Sequence, residues 1–301
     1  MSLLCWNCHG AGKPATVREL RDLTRQLAPS IACIVETQLE GSRVENLAGT
    51  LGFNKSFAVS SRGRSGGLGV FWNEEMKLDI VGYSQYHIDA VIDDLADVKI
   101  RVTFVYGEAQ VNARYNTWDM LRGIVGASDI PWLVLGDFNE VLHAHEHDGV
   151  GNRSQAQMDA FRECLADCGL ADLGFSGYPY TWDNRQPGLA NVKARLDRVL
   201  ANAGFLNLFQ FTSVKHLSSV ESDHCFVLTE LRSVMVSGWT RAPRSFRYEN
   251  VWQTHTDYDQ LVKDVWTSYQ HGPGLQGVAQ ALVNLQKTLE PWGAKEFGSL
   301  T

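Results

Sequence analysis

Asn7, Glu36, Asp137, Asn139, Asp197 and the pair Asp223, His224 are the residues of this chain whose types and placement suit metal-assisted hydrolysis. Breaking a phosphodiester needs a cation on a phosphate oxygen, a group that activates water, and donors that stabilise the negative charge of the transition state. Mg²⁺ takes oxygen ligands and keeps several waters, so one or two carboxylates are enough. Asn7 closes the apolar run LLCWN, Glu36 closes IACIVE, and Asp137 with Asn139 closes WLVLGDFN. Ligands at the ends of rigid strands are held more firmly than ligands on loops. Singly, Glu36 reads equally well as a solvated strand end and Asn7 as a turn residue; the set points to a site. The run SSVESDHCFVL places His224 at the mouth of a buried strand, where an imidazole can serve as acid, base or phosphate donor. Asp197, apolar-flanked within ARLDRVL, is the candidate carboxylate that orients it; the competing reading pairs Asp197 with Arg195 or Arg198 at the surface.

The elements that must position these groups read clearly in parts. LLCWN, IACIVE, LGVFW, VKIRVTFVY, WLVLGDFN, RLDRVLAN and HCFVLTEL have the length and β-branched content of strands, several apolar enough to be buried on both faces. Residues 16–28, 112–126 and 154–168 have helical periodicity, the last with Ser154 as a cap. Two packed sheets with helices on both outer faces account for this order. Near residue 233 the texture changes: SVMVSGWTRAPRS has no period, and helical stretches follow at about 254–270 and 275–290. The expected organisation is a catalytic domain over 1–232 and a linker with a helical segment over 233–301.

The composition of this 301-residue chain, 44% hydrophobic and 20% charged, is that of a globular protein, and no apolar run reaches the ~20 residues of a membrane span. No membrane partner is expected. The first residues lack the basic flank of a signal peptide and the six cysteines form no disulfide framework, so a reducing compartment and no secretion are expected. A net charge of −7 argues against a protein that coats nucleic acid but not against an enzyme with a local basic rim.

Taken in order, CWNCHG, IVETQ, VYG, LGDFNE, TWDN, RLDRVL and SDHC resemble the signature of the endonuclease/exonuclease/phosphatase superfamily. The resemblance spans residues 1 to about 232 and implies an α/β fold, a four-layer sandwich of two packed mixed β-sheets flanked by helices, here with a C-terminal helical appendage. The stretch GDFNE followed by GNRSQAQMDAFRECLADCGLADLGFSGYPYTWDN is most similar to the endonuclease domain of plant LINE-type (non-LTR) retrotransposons. FRYENVW and PWGAKEFG resemble the connector that precedes reverse transcriptase in such elements. The resemblance implies that Glu36 binds Mg²⁺ or Mn²⁺ with Asn7 near it and Asp223 assisting. It implies that Asp137 orients or deprotonates water beside Asn139. It also makes Tyr106 and an Asp197-oriented His224 phosphate-side groups, and Thr181 and Ser222 contacts to DNA phosphate. The apurinic branch commonly carries an acidic residue two positions after the first Asn, and His9 stands there, which weighs against strong abasic-site activity.

The basic residues supply a candidate rim. Arg62 and Arg64 in SRGRSGGLG are candidates for the DNA backbone, and Arg185, Lys193, Arg195 and Arg198 flank TWDN, whose Trp182 reads either as part of that rim or as core. CWNCH fits a haem-attachment pattern, but it lies on a strand that ends in the candidate site. His143, His145 and His147 alternate within a polar stretch and read as a solvated loop. The resulting expectation is a nicking endonuclease acting on double-stranded DNA in the nucleus after synthesis in the cytoplasm. Its product would be a 3′-hydroxyl that primes reverse transcription of an element RNA by the reverse transcriptase of the same polyprotein. A small-substrate phosphoesterase and a non-catalytic DNA-binding module are the alternatives.

Overall fold

A computed structural model describes residues 1–63, 65–95, 98–125, 130–151, 153–232, 252, 255–268 and 275–297. The chain divides into two compact units, Met1–Val236 and Ser237–Thr301. In chain order the first unit begins β1 (Ser2–Asn7), α1 (Pro14–Leu27), β2 (Ile31–Val35), α2 (Gly41–Glu45), α3 (Ala48–Leu51), β3 (Lys55–Val59) and β4 (Leu68–Trp72). It continues β5 (Leu78–Ser84), β6 (His87–Leu95), β7 (Val98–Tyr106), α4 (Tyr115–Val125), β8 (Trp132–Asp137), β9 (His147–Gly149) and α5 (Gln155–Asp167). It ends β10 (Leu170–Asp172), β11 (Ser176–Gly177), β12 (Trp182–Asp183), β13 (Val192–Ala194), β14 (Asp197–Asn202), α6 (Ala203–Leu208), β15 (Ser213–Leu217) and β16 (Phe226–Glu230).

These strands form a seven-stranded mixed sheet, β11-β15-β16-β1-β2-β4-β3, and a six-stranded mixed sheet, β10-β14-β8-β7-β6-β5, with β12-β13-β9 as a small third sheet. Strand alternation builds the layers. Leu3 and Cys5 on β1 and Cys33 and Val35 on β2 point one way, onto Val102 and Phe104 of β7 and Leu133 and Leu135 of β8, and form the core between the sheets. Their neighbours Leu4, Trp6, Ala32 and Ile34 point outward and bury Leu20 of α1. On the far side, Val105, Val134 and Leu200 bury Trp118 and Leu121 of α4 and Phe161 and Cys164 of α5. The result is helix, sheet, sheet, helix: the four-layer sandwich.

Each of the seven strands read from the sequence is present. Of the strands not read from the sequence, β9 to β13 are only two or three residues long, and β3, β5, β6 and β15 alternate or carry charge in a way that blurs the pattern, as in β5, whose residues alternate in exposure along Leu78–Ser84. Pro14 at the first helical position starts α1. Ser154 takes extended backbone at the N-cap of α5, yet its side chain makes no capping bond, so the expected cap is present in position only. In the second unit, Tyr258–Ser268 and Leu275–Phe297 are helices α7 and α8, the latter running through Pro291. Gly293 lets Trp252 lie flat on α8: a Cβ there would stand 2.5 Å from the indole.

Candidate active site

The candidate site is the polar end of the inter-sheet core. Tyr106 pairs with Asp137 across β7 and β8, and Asp137 with Asp197 across β8 and β14, so three strands present three polar groups in one row. By strand parity each is the next inward-facing position after Phe104, Leu135 and Val199, all core residues. Asn7 is likewise the next inward position after Cys5 on the opposing sheet. Glu36 has the opposite parity and would turn toward the outer helices if β2 simply continued; its left-handed backbone, φ 54°, re-aims it. Gly136 permits the approach of β8 to β7: it has φ 144°, and a Cβ would stand 2.0 Å from the Val105 carbonyl oxygen.

Asn7 joins the two sheets. Its Nδ2 lies 3.0 Å from Glu36 Oε2 and 2.8 Å from Asp137 Oδ2, and its Oδ1 accepts the His9 amide at 3.1 Å. Gln38 Nε2 donates to the other Glu36 oxygen at 3.2 Å. The second oxygen of Asp137 accepts the Asn139 amide at 2.8 Å, while Asn139 Nδ2 holds the Gly107 carbonyl at 2.8 Å. Asp137 is fully buried, and burial followed by the charge of Asp197 raises its pKa to about 6. Burial, then the charges of Glu36 and Asp137, push the Tyr106 phenol well above its ordinary value, so it stays a donor.

His224 faces Asp137 from the other side, Nε2 to Oδ2 3.8 Å, and its Nδ1 is 2.8 Å from Asp197 Oδ2. Burial works against its protonation, but Asp197 and Asp137 overcome that and raise its pKa to about 10, which makes it a cation at neutral pH. The backbone is fixed as firmly as the ring. Ser222 Oγ donates to the Asn7 carbonyl at 2.7 Å and accepts the His224 amide at 3.1 Å, and Trp6 Nε1 donates to the His224 carbonyl at 3.2 Å. Asp223 points elsewhere, to His9 Nδ1 at 2.8 Å and Trp182 Nε1 at 2.9 Å. Burial opposes its ionisation, yet the His9 hydrogen bond and the charge of His224 hold it well below the usual carboxylate range.

Two sets of groups invite a cation. Ligand atoms of Asp137, Asp197 and His224 lie within 4.8 Å of one another. The His224–Asp197 bond already satisfies that set, and a protonated imidazole repels a metal. The set that fits is Glu36 with Asp137: Asn7 Nδ2 donates to both carboxylates and its Oδ1 accepts the His9 amide, so Asn7 aligns the two acids and their oxygens are the ligands. This oxygen-rich donor set suits a hard divalent ion such as Mg²⁺ or Mn²⁺.

Asp197 carries no ion pair with its flanking arginines. Arg195 and Arg198 bond Glu146 and Asp172 instead, in a buried four-membered cluster. That placement corrects three expected DNA contacts. Arg195 is buried in this cluster; Thr181 is 1% exposed, its hydroxyl accepting the Leu196 and Asp197 amides at 2.9 Å each; Ser222, 2% exposed, ties Asn7 to His224. Arg185 has an exposed side, but its guanidinium bonds the Ser219, Val220 and Ser222 carbonyls. Arg62 is exposed, and Arg64 lies outside the described residues. Asp223 bonds His9 and Trp182 rather than Glu36. Trp182 thus lies at the site edge, neither free rim nor closed core. Sequence reading missed Gln38, Trp6 and Glu19; for Gln38 the signal was its spacing, two residues after Glu36.

Residues 4–224 match the model of the Endonuclease/Exonuclease/phosphatase family. No curated protein matches the chain. Among solved structures, an AP endonuclease from Archaeoglobus fulgidus aligns with TM-score 0.60 at 16% identity, covering 77% of this chain and 99% of the other. The endonuclease domain of TRAS1, a telomere-specific non-LTR retrotransposon, aligns with TM-score 0.58 at 17% identity, covering 77% and 98%. The 3′ phosphatase NExo from Neisseria, bound to a product DNA hairpin, aligns with TM-score 0.57 at 16% identity, covering 77% and 99%. At these identities the structures establish a shared fold.

Proposed function

The chain belongs to the endonuclease/exonuclease/phosphatase family, and on that premise we propose that it is a divalent-metal-dependent endonuclease that nicks one strand of double-stranded DNA. The observation that carries this reading is the convergence of Glu36 and Asp137 on Asn7, opposite a cationic His224 that Asp197 holds. A bound Mg²⁺ or Mn²⁺ would supply a Lewis acid at a phosphate oxygen, with Glu36 holding it and Asn7 aligning the Glu36 carboxylate. Asp137, with a pKa raised to about 6, accepts a proton from the attacking water, and the Asn139 amide fixes its second oxygen. His224 and Tyr106, both kept protonated, donate to the phosphate oxygens on which charge develops.

The cut leaves a 3′-hydroxyl, and on this reading that hydroxyl primes reverse transcription of an element RNA in the nucleus by the element's reverse transcriptase. The order of motifs supports this finer assignment, as does the occurrence of the same fold in the TRAS1 domain. Supercoiled plasmid nicked with Mg²⁺ and protected by EDTA, with nicks that a DNA polymerase extends directly, is the expected result. Nicking by Glu36→Ala at the parent rate would overturn the site assignment. Phosphate release from inositol phosphates without nicking would overturn the substrate class.

A further inference from the structure

The segment that delivers Asp223 and His224 has no regular secondary structure from residue 218 to 223, and it passes from 78% exposed at Val220 to 6% at His224. Residues 219–222 are held by two side chains, and beyond them the Asp183 amide donates to the Asp223 carbonyl at 3.0 Å and His224 bridges Trp182. From α1, 200 residues away in sequence, Glu19 Oε2 accepts the Ser219 hydroxyl at 3.0 Å and the Glu221 amide at 3.0 Å, and Oε1 accepts the Val220 amide at 2.7 Å. From the β12–β13 hairpin, Arg185 donates to the Val220 carbonyl at 2.8 Å, the Ser219 carbonyl at 3.2 Å and the Ser222 carbonyl. One four-residue stretch thus gives two amides and a hydroxyl to a carboxylate, and three carbonyls to a guanidinium. Both bonds are charge-assisted, the stronger class of hydrogen bond.

We propose that Glu19 and Arg185 are positioning residues that clamp residues 219–222 and so set where His224 meets the phosphate. The path is short: Arg185 holds the Ser222 carbonyl, and the Ser222 hydroxyl holds both the Asn7 carbonyl and the His224 amide. Asp197 orients the imidazole ring, whereas the clamp fixes the approach of the backbone that the Trp182 bridge and Trp6 Nε1 hold at His224 itself. This assignment gives three of the Arg185 donors to the loop rather than to DNA. It rests on the nicking reading for its kinetic consequence alone.

Two measurements on the full chain test it. Amide hydrogen exchange over residues 219–224 should quicken about tenfold in Glu19→Ala and in Arg185→Ala, while β1 and α1 keep their protection. Unchanged exchange in either variant would overturn the clamp whatever the enzyme acts on. In plasmid nicking, kcat should fall about tenfold with KM within about twofold, because the bound phosphate is then met by a displaced donor. The double variant should be no slower than about the worse single one, since both act through one segment. Arg185→Lys and Glu19→Gln, which keep a donor and an acceptor and serve if the alanine variants misfold, should recover at least half of the lost rate. A raised KM with parent kcat in Arg185→Ala would identify a DNA contact and refute the proposal, as would losses that multiply in the double variant. If the parent protein does not nick at all, the functional reading fails and the exchange experiment still decides the clamp.

Discussion

Two buried clusters of charge in this fold are opposites. In the cluster of Arg195, Arg198, Glu146 and Asp172, two guanidinium groups meet two carboxylates, and charge cancels within a few ångström. Burial works against ionisation of Glu146 and Asp172, but Arg198 and Arg195 outweigh it and hold both acids below their ordinary pKa values. At the candidate active site Asp137 and Asp197 face one imidazolium, His224, with Glu36 joined to them through Asn7, and Asp137 is raised to about 6. The contrast teaches how to tell a structural charge cluster from a reactive one inside the same protein. A compensated cluster holds layers together; one with unmatched negative charge is built to receive a cation from outside.

The largest effect should fall on the uncompensated side. His224→Ala should slow nicking about 10³-fold, equivalent to about 4 kcal/mol of transition-state stabilisation. A parent-like rate in a plasmid assay would erase the distinction. Next, Arg198→Leu should cost about 3 kcal/mol or more in urea unfolding, because Glu146 and Asp172 lose a buried partner. A cost below about 1 kcal/mol would show the compensated cluster to be ornamental to stability. Third, Mg²⁺ at about a hundred times its Kd should stabilise the protein by about 2.7 kcal/mol in thermal melts, and Glu36→Gln should abolish this. Persistence of the effect in Glu36→Gln would move the ion elsewhere.

The smallest effect concerns acid. Glu146 and Asp172 have folded pKa values depressed below 4.5 and 3.8, so they bind fewer protons folded than unfolded. Their contribution is fully present above those unfolded values and is lost as pH falls through the folded ones. Metal-free melting temperatures should therefore drop between pH 5 and about pH 3, and the drop should be shallower in Arg198→Leu. Equal slopes in the two proteins would assign acid sensitivity to other carboxylates.

The strands that carry or lead to Asn7, Glu36, Asp137 and Asp197 were legible because each is a buried apolar run with a polar residue at one end. The orienting role of Asp197 was legible from its apolar flanks, and the structure puts its carboxylate on His224. The DNA rim was not legible, because an arginine in sequence does not reveal its partner. Arg195 finds Glu146 49 residues away, and Arg185 finds backbone carbonyls more than thirty residues on. Thr181 was misread for a related reason: a hydroxyl beside a motif looks like a ligand until its two amide donors are seen. The turn at Glu36 was illegible too, since left-handed backbone at a glutamate has no residue-type signal.

Tyr106, Asp137 and Asp197 sit at the last inward position of strands whose earlier inward positions are Phe104, Leu135 and, on the antiparallel neighbour, Val199. A one-residue slip of β8 would put Gly136 in the row and turn Asp137, with Leu133 and Leu135, toward the helices. Pairing error and loss of activity are therefore a single event, because the slip sets the Asp137 carboxylate without a partner against the apolar layer of Trp118, Leu121 and Phe161. Folded but inactive register isomers should be absent from any purified preparation, so that the fraction of soluble protein and the fraction of competent active sites rise and fall together.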